Sequence, residues 1–220
     1  MNYLSERLST IYKMVPKGVA ADIGADHGKL IIALFEGGII SHGYAVENKK
    51  GPYNRLVKAL KEKGLEEDIV PLFSDGIKDL PCAVHTVIIA GMGGSLIIDI
   101  LKKYPTKTKQ IDTLIVDAHN AIPKVREEVC KLGFVIADEK IVREDEIFYE
   151  IIKFVRADVA TYGENDIEFG PILRQEKSAI FKAKYENRIH EIDNLLNNKN
   201  LPESRINELS REKERIKNIL

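Results

Sequence analysis

The run Val19-Ala-Ala-Asp-Ile-Gly-Ala-Asp-His-Gly-Lys-Leu30 constrains this chain more than any other stretch. Its apolar first half reads as a buried strand. The pattern breaks at Gly24, and beyond Gly28 an apolar helical period takes over. A strand that feeds a helix through a glycine turn needs a parallel partner, because the chain returns to the sheet only after a crossover. The following sequence supplies the partners. Strands are predicted at Val19–Ile23, Gly43–Val46, Ile69–Phe73, Thr86–Ala90 and Leu114–Val116, and helices at Lys29–Glu36, Pro52–Lys63, Ser95–Tyr104 and Pro123–Leu132. Right-handed crossovers then give an open, doubly wound α/β sheet. Phe134–Val142 and Phe148–Val155 follow with only the charged stretch Arg143–Glu146 between them, which predicts an antiparallel hairpin on the sheet edge.

Flanking segments have a different period. Tyr3–Met14 reads as a helix with Leu4, Leu8, Ile11 and Val15 on one face. Asp158–Gly170, with Gly163, Asn165 and Gly170-Pro171, reads as a linker. Beyond it, Leu173, Ile180, Ala183, Ile189, Ile192 and Leu196 recur at helical spacing through Pro171–Leu196, then a turn at Asn197–Pro202 leads to a second helix, Glu203–Leu220. An antiparallel coiled-coil hairpin is expected, imperfect where Lys213 falls near the seam. The predicted division is a ligand-binding domain over 1–157 and a linker plus hairpin over 158–220.

Composition bounds the function classes. Lys and Arg total 33 against 34 Asp and Glu, which excludes a polyanionic tail or a histone-like basic coat. Two cysteines, Cys82 and Cys130, exclude a disulfide framework and a four-cysteine zinc site, and no metal is expected. No apolar run approaches the roughly 20 residues of a membrane span, and Met1–Lys17 lacks a signal-like apolar core. The expectation is a cytoplasmic protein without membrane partners, with a monomer favoured.

Four strand ends carry the chemistry. Asp22-Ile-Gly24 places a carboxylate and a tight turn at the carboxyl end of the first strand, where open α/β sheets bind ligands. A nicotinamide fingerprint has glycine where this chain has Asp26, and a carboxylate there opposes a pyrophosphate. S-adenosyl-L-methionine has no phosphates and a cationic sulfonium, so the same carboxylates suit it. Glu47, ending the second strand beside Asn48, can accept from two ribose hydroxyls. Ser74-Asp75-Gly76 ends the third strand, where a carboxylate can accept from an adenine amine. Gly91-Met92-Gly93-Gly94 ends the fourth, a loop whose backbone can pass close to the transferring methyl.

Taken together, Ala21-Asp-Ile-Gly-Ala-Asp-His-Gly-Lys-Leu30, Glu47-Asn48 with Lys49-Lys-Gly-Pro52, Ser74-Asp-Gly76 and Ala90-Gly-Met-Gly-Gly94 resemble the bacterial tRNA (adenine-22-N1)-methyltransferase family. Leu4-Ser-Glu-Arg-Leu8, Val15-Pro-Lys-Gly18, Phe148-Tyr-Glu150 and the C-terminal hairpin share the resemblance, which spans essentially the whole chain. It implies a class I methyltransferase fold (a Rossmann-like, mostly parallel sheet with an antiparallel edge), S-adenosyl-L-methionine as donor, tRNA as partner, and methylation of N1 of a D-arm adenine. It implies that Asp22, Gly24, Asp26 and His27 line the donor and active-site loop, that Glu47 holds the ribose, and that Ser74 and Asp75 neighbour the adenine. One departure stands out. The family's Leu-Gln-Pro-Asn after the fifth strand is here Val116-Asp117-Ala118-His119, followed by Asn120. Either the polar role moves to His119 or Asn120, or the target differs.

Adenine N1 is nucleophilic in the neutral base, so no covalent enzyme intermediate is needed. The base has to leave its stack, be aimed at the methyl carbon and have its developing charge stabilised. Asp26 or Asp117 can accept from the exocyclic amine, and His27 can accept a proton or orient the base. The plainer readings are that Asp26 and His27 cap the next helix, that His119 is a loop residue, and that Phe148 and Tyr149 belong to the hairpin. Lys177, Lys184 and Arg188 share a helical face that either tracks phosphates or pairs with acidic neighbours. Lys49, Lys50, Arg55, Arg7 and Lys13 are further basic candidates. The rival functions are a methyltransferase on another target, a non-catalytic RNA-binding scaffold and, least favoured by Asp26, a dehydrogenase.

Overall fold

A computed structural model describes residues 4–158, 160–198 and 200–220. The elements in chain order are α1 (Glu6–Met14), β1 (Gly18–Ile23), α2 (Lys29–Glu36), β2 (Ile40–Glu47), α3 (Lys50–Lys63), β3 (Ile69–Phe73), β4 (Thr86–Met92), α4 (Gly94–Lys103), α5 (Pro105–Thr108), β5 (Thr113–Ala118), α6 (Ile122–Lys131), β6 (Phe134–Glu144), β7 (Ile147–Arg156), α7 (Glu164–Phe169), α8 (Leu173–Glu176), α9 (Ala179–Leu196) and α10 (Glu203–Ile219). The sheet runs β3-β2-β1-β4-β5-β7-β6. Strands β1 to β5 are parallel, and β7 pairs antiparallel with both β5 and β6. The order reverses between β1 and β4, which opens a crevice at their carboxyl ends.

Two apolar layers sandwich the sheet. One face packs Ala20, Ile88, Ile115 and Ile151 against α1 and α2 through Ile11, Ile31 and Leu34. The other packs Ala21, Val87, Leu114 and Phe154 against Ile97, Leu101, Val125 and Val129 of α4 and α6. Strands buried on both faces read as continuous apolar runs, which is why the central strands stood out in the sequence. The hairpin turn is tighter than its charged stretch suggested. Asp145 and Glu146 alone form it, both with positive φ (49° and 64°), the twist that a two-residue turn requires.

The C-terminal region departs from expectation in three ways. The linker over 158–170 contains α7, and α7 is helical because Asp166 accepts from the Gly163 amide at its start. The single helix expected from Pro171 to Leu196 is broken: Lys177 adopts a left-handed conformation and Ser178 caps α9 through Phe181 N–H. The seam rests on Phe181, Tyr185, Ile192, Leu209 and Ile216, whereas Ile206 lies exposed. Helices α9 and α10 run antiparallel, as the falling order of the contacts Lys177 Nζ to Leu220 O and Arg188–Glu212 shows, and Lys213 also meets Asp193. Tyr3 and the middle of the turn at 197–202 (Lys199) fall outside the described residues.

This region is anchored by buried charge. Arg126 on α6 is fully enclosed and donates to Glu139 at 2.8 Å, to Glu150, and to the carbonyls of Ile167 and Glu168. Lys184 of α9 reaches the same Glu150, and Glu139 also accepts from the Ile172 amide. Burial pushes Glu150 up, but Arg126 and Lys184 outweigh it and hold the carboxyl below its ordinary range. Gly170, at φ +82°, lies so close that a Cβ would come within 2.7 Å of both Arg126 and Glu139. Lys184 and Arg188, two members of the basic stripe, are thus engaged with Glu150 and with Glu191 and Glu212. Truncation at Pro171 would therefore strip charge partners from the sheet itself. Among the described residues, no helix is long and apolar enough to cross a membrane.

Candidate functional site

Gly24 leaves β1 with φ +78°, and its amide and that of Ala25 bond Val46 O at the end of β2. The positive φ favours glycine here, and a Cβ on Gly24 would lie 2.4 Å from Met92 Cε, so any side chain would also displace the Met92 methyl that lines the pocket. Two pockets meet there. A 290 Å³ pocket is lined by Gly24, Glu47, Asn48, Ser74, Asp75, Gly76 and Met92, with Leu96 and Ile100 of α4 as its apolar wall. A 200 Å³ pocket is lined by Gly24, Asp22, Asp26, His27, Ala90 and Arg7. The larger hollows lie under the C-terminal helices, away from the strand ends.

In the first pocket Glu47 is buried and its Oε1 accepts from the Asp26 amide at 2.6 Å. Asp75 receives Lys103 Nζ at 2.6 Å and Tyr104 OH at 2.7 Å, both on Oδ2. Those bonds hold its carboxyl below the usual range. Ser74 donates to Asp79 at 2.6 Å, so its hydroxyl proton is directed away from the pocket. In the second pocket Asp22 is buried, and burial together with the Glu47 charge raises its carboxyl to about 7. Asp26 takes the left-handed conformation, φ 47°, at the position where a nucleotide fingerprint has glycine. Its half-exposed carboxylate is held by Arg55 at 2.7 Å, and His27 Nε2 lies 3.7 Å away. Neither caps α2, which starts from Gly28 without a side-chain cap.

Gly91, Gly93, His119 and Asn120 line neither pocket and form the adjoining rim. Gly93 is the N-cap of α4, and Asn120 Oδ1 accepts the Gly94 amide at 3.0 Å. Asn120 is therefore occupied in tying β5 to α4. The His119 amide bonds Met92 O, and its ring meets Tyr149 edge-on at 6.2 Å.

Arg7, one of the basic candidates, lines the second pocket. Its Nη1 donates to Asp117 Oδ2 at 2.5 Å, its guanidinium lies 5.1 Å from the Tyr149 ring centre, and its amide bonds Glu144. The available signal was its place one turn from Ile11, but only the packing of α1 over β6 and β7 brings it to Asp117. Asp117 has no exposed surface, and its Oδ1 lacks a hydrogen-bond partner.

The sequence matches the methyltransferase-domain family over residues 4–152. It is 31% identical over 195 residues to a Bacillus subtilis tRNA (adenine(22)-N(1))-methyltransferase, covering 83% of this chain and 79% of that one. The fold superimposes on a Streptococcus pneumoniae protein crystallised with S-adenosyl-L-methionine and described as a candidate tRNA (m1A22) methyltransferase (TM-score 0.91, 31% identity, 99% of each chain). It also superimposes on M. capricolum TrmK in complex with S-adenosyl-homocysteine (TM-score 0.88, 25% identity, 98% of this chain and 96% of that one).

Proposed function

The chain belongs to the tRNA (adenine-22-N1)-methyltransferase family, and from that premise we propose how its own residues divide the work. The reaction is S-adenosylmethionine-dependent formation of N1-methyladenosine at adenine 22 of tRNA. The observation that carries the reading is the pair of pockets joined at bare Gly24, with Glu47 and Asp75 on one side and Asp22, Asp26 and His27 on the other. Buried carboxylates at Asp22 and Glu47 fit a cationic, phosphate-free cofactor. A dehydrogenase reading is disfavoured by Asp26, whose carboxylate stands where a nucleotide fingerprint has glycine and would oppose a pyrophosphate.

When bound, S-adenosylmethionine supplies a methyl group on a cationic sulfonium. Glu47 uses its Oε2 for the ribose hydroxyls, because Oε1 already holds the Asp26 amide. Asp75 offers Oδ1 to the adenine amine, its other oxygen being fixed by Lys103 and Tyr104. Leu96, Ile100 and Met92 exclude water from the ring faces. Asp22 supplies counter-charge, and Asp26, braced by Arg55, orients His27 toward the second pocket. The target adenine in the D-arm needs no activated nucleophile, so these groups act by position and by fixed charge. The C-terminal helices and exposed Lys49 and Lys50 face RNA, and the protein works in the cytoplasm.

The test is incubation with labelled S-adenosylmethionine and unmodified total tRNA, followed by nucleoside analysis. N1-methyladenosine is expected, with most transfer lost in Asp26→Ala and His27→Ala at unchanged folding. Unchanged turnover in either variant removes that residue from the site.

A further inference from the structure

Asp117 stands where the family's motif has glutamine, and the structure leaves half of its carboxylate unexplained. It is wholly buried, Arg7 bonds only Oδ2, and Oδ1 has no well-formed hydrogen bond, with only the Gly91 amide near the carboxylate. A buried acceptor without a partner costs about 1–3 kcal/mol, so such a group calls for a ligand or a role. Its position gives the role. In the sheet Asp117 is registered opposite Ala90, which lines the second pocket. Strand alternation puts Asp117 and Asp22 on the same face, two residues beyond Ile115 and Ala20 of the α1–α2 layer. Arg7 lies between, as a pocket wall on one side and the partner of Asp117 on the other. His119 and Tyr149 flank it, with His119 Nε2 and Arg7 Nη1 at 3.6 and 3.7 Å from the site of a Cβ on Gly91.

We propose that Asp117 is the acceptor for the exocyclic amine of the target adenine, and that Arg7 covers it in the free protein by placing a guanidinium N–H where the amine N–H will lie. This rests on the adenine-N1 reading above. Asn120 Oδ1 already accepts the Gly94 amide at the start of α4, whereas Asp117 Oδ1 has no such bond. Methyl transfer to N1 moves one positive charge onto the base and acidifies its amine, so a fixed carboxylate accepting from that amine is favoured more as the charge develops. Burial outweighs Arg7, His119 and the Gly91 amide and leaves the Asp117 carboxyl raised. Arg7, in contact at 2.5 Å, is the main group opposing that burial in the free protein. Once displaced, its long side chain can rotate from Tyr149 toward the phosphates beside the flipped nucleotide.

The experiment compares tRNA carrying adenosine at the target position with tRNA carrying purine riboside, which lacks only the amine. Affinity is measured with S-adenosylhomocysteine present, then kcat/KM with the methyl donor. The wild-type protein is expected to favour adenosine about tenfold or more in affinity, as for a hydrogen bond to a charged group. Asp117→Leu is expected to bring the ratio to within about twofold, and Asp117→Asn, which keeps the shape and a neutral acceptor, to an intermediate value. Calorimetry with S-adenosylhomocysteine verifies that each variant is folded. A wild-type ratio near one, or a full ratio in a folded Asp117 variant, overturns the assignment. Should the leucine variant fail to fold, an unchanged ratio in Asp117→Asn alone does so. A wild-type protein that methylates no adenosine-bearing tRNA would instead overturn the reading on which the proposal rests.

Discussion

Lowering the pH from about 8 to about 6 should weaken donor binding through one carboxyl group, Asp22. Burial and the Glu47 charge place that group at about 7 in the free protein, against about 4 for an ordinary aspartate. A cationic ligand in the same pocket favours the carboxylate, so binding below pH 7 must release a proton. With the group at about 7, roughly nine in ten molecules carry the proton at pH 6 and one in ten at pH 8. Affinity then falls about tenfold across that interval, about 1.4 kcal/mol, and proton release drops from about 0.9 to about 0.1 per site as the pH rises. For stability the sign is opposite to that of a salt-bridged carboxylate. The folded chain holds the Asp22 proton more tightly than the unfolded one, so this contribution is complete below about pH 4 and is lost as the pH climbs toward 7. The assay is titration calorimetry with S-adenosylhomocysteine in two buffers of different ionisation heat, on wild type and Asp22→Asn. The difference between them isolates Asp22 from the ligand's own titration. Equal proton release in the two proteins across this range would show that Asp22 does not titrate with donor binding.

Gly24→Ala should reduce donor affinity at least tenfold, since its Cβ meets Met92 at 2.4 Å with φ at +78°; the left-handed alanine adds a stability loss of about 1–2 kcal/mol, read by urea unfolding. Glu47→Ala should weaken donor binding by about 1–3 kcal/mol in the same calorimetry, through the lost charge-assisted bond and the freed Asp26 loop. Arg126→Met should cost about 3–5 kcal/mol, because Glu139 and Glu150 stay buried without their shared cation; a loss below 1 kcal/mol would show that the network does not anchor the C-terminal helices. Replacing Asp145-Glu146 by Asn-Gly should raise stability by about 1 kcal/mol, since both turn residues have positive φ.

Most of the sheet was legible because parallel strands buried on both faces leave uninterrupted apolar runs, bounded by turns whose residues have local reasons to be there. The two pockets were legible for the same local reason. Each strand end carries its own residues, and the doubly wound topology gathers consecutive strand ends at one edge. The errors fall where local pattern and packing disagree. A continuous helix over 171–196 satisfies the period, yet Gly170 and Lys177 must bend the chain around the Arg126 pair. The bond from the Gly94 amide to Asn120 Oδ1, which ties β5 to α4, likewise joins residues that no local pattern relates.

Features that depend on neighbours along the chain were fixed locally: the strand and helix periods, the Gly24 turn, and the acidic residues that end β1, β2 and β3. Which distant charges meet was settled by the packing of the folded chain. Arg7 and Asp117 are 110 positions apart, and Arg126 and Glu150 are 24 apart. A charge carries no periodicity that names its partner. Its partner is chosen when burial removes water and leaves each charged group only the neighbours that the fold brings within reach.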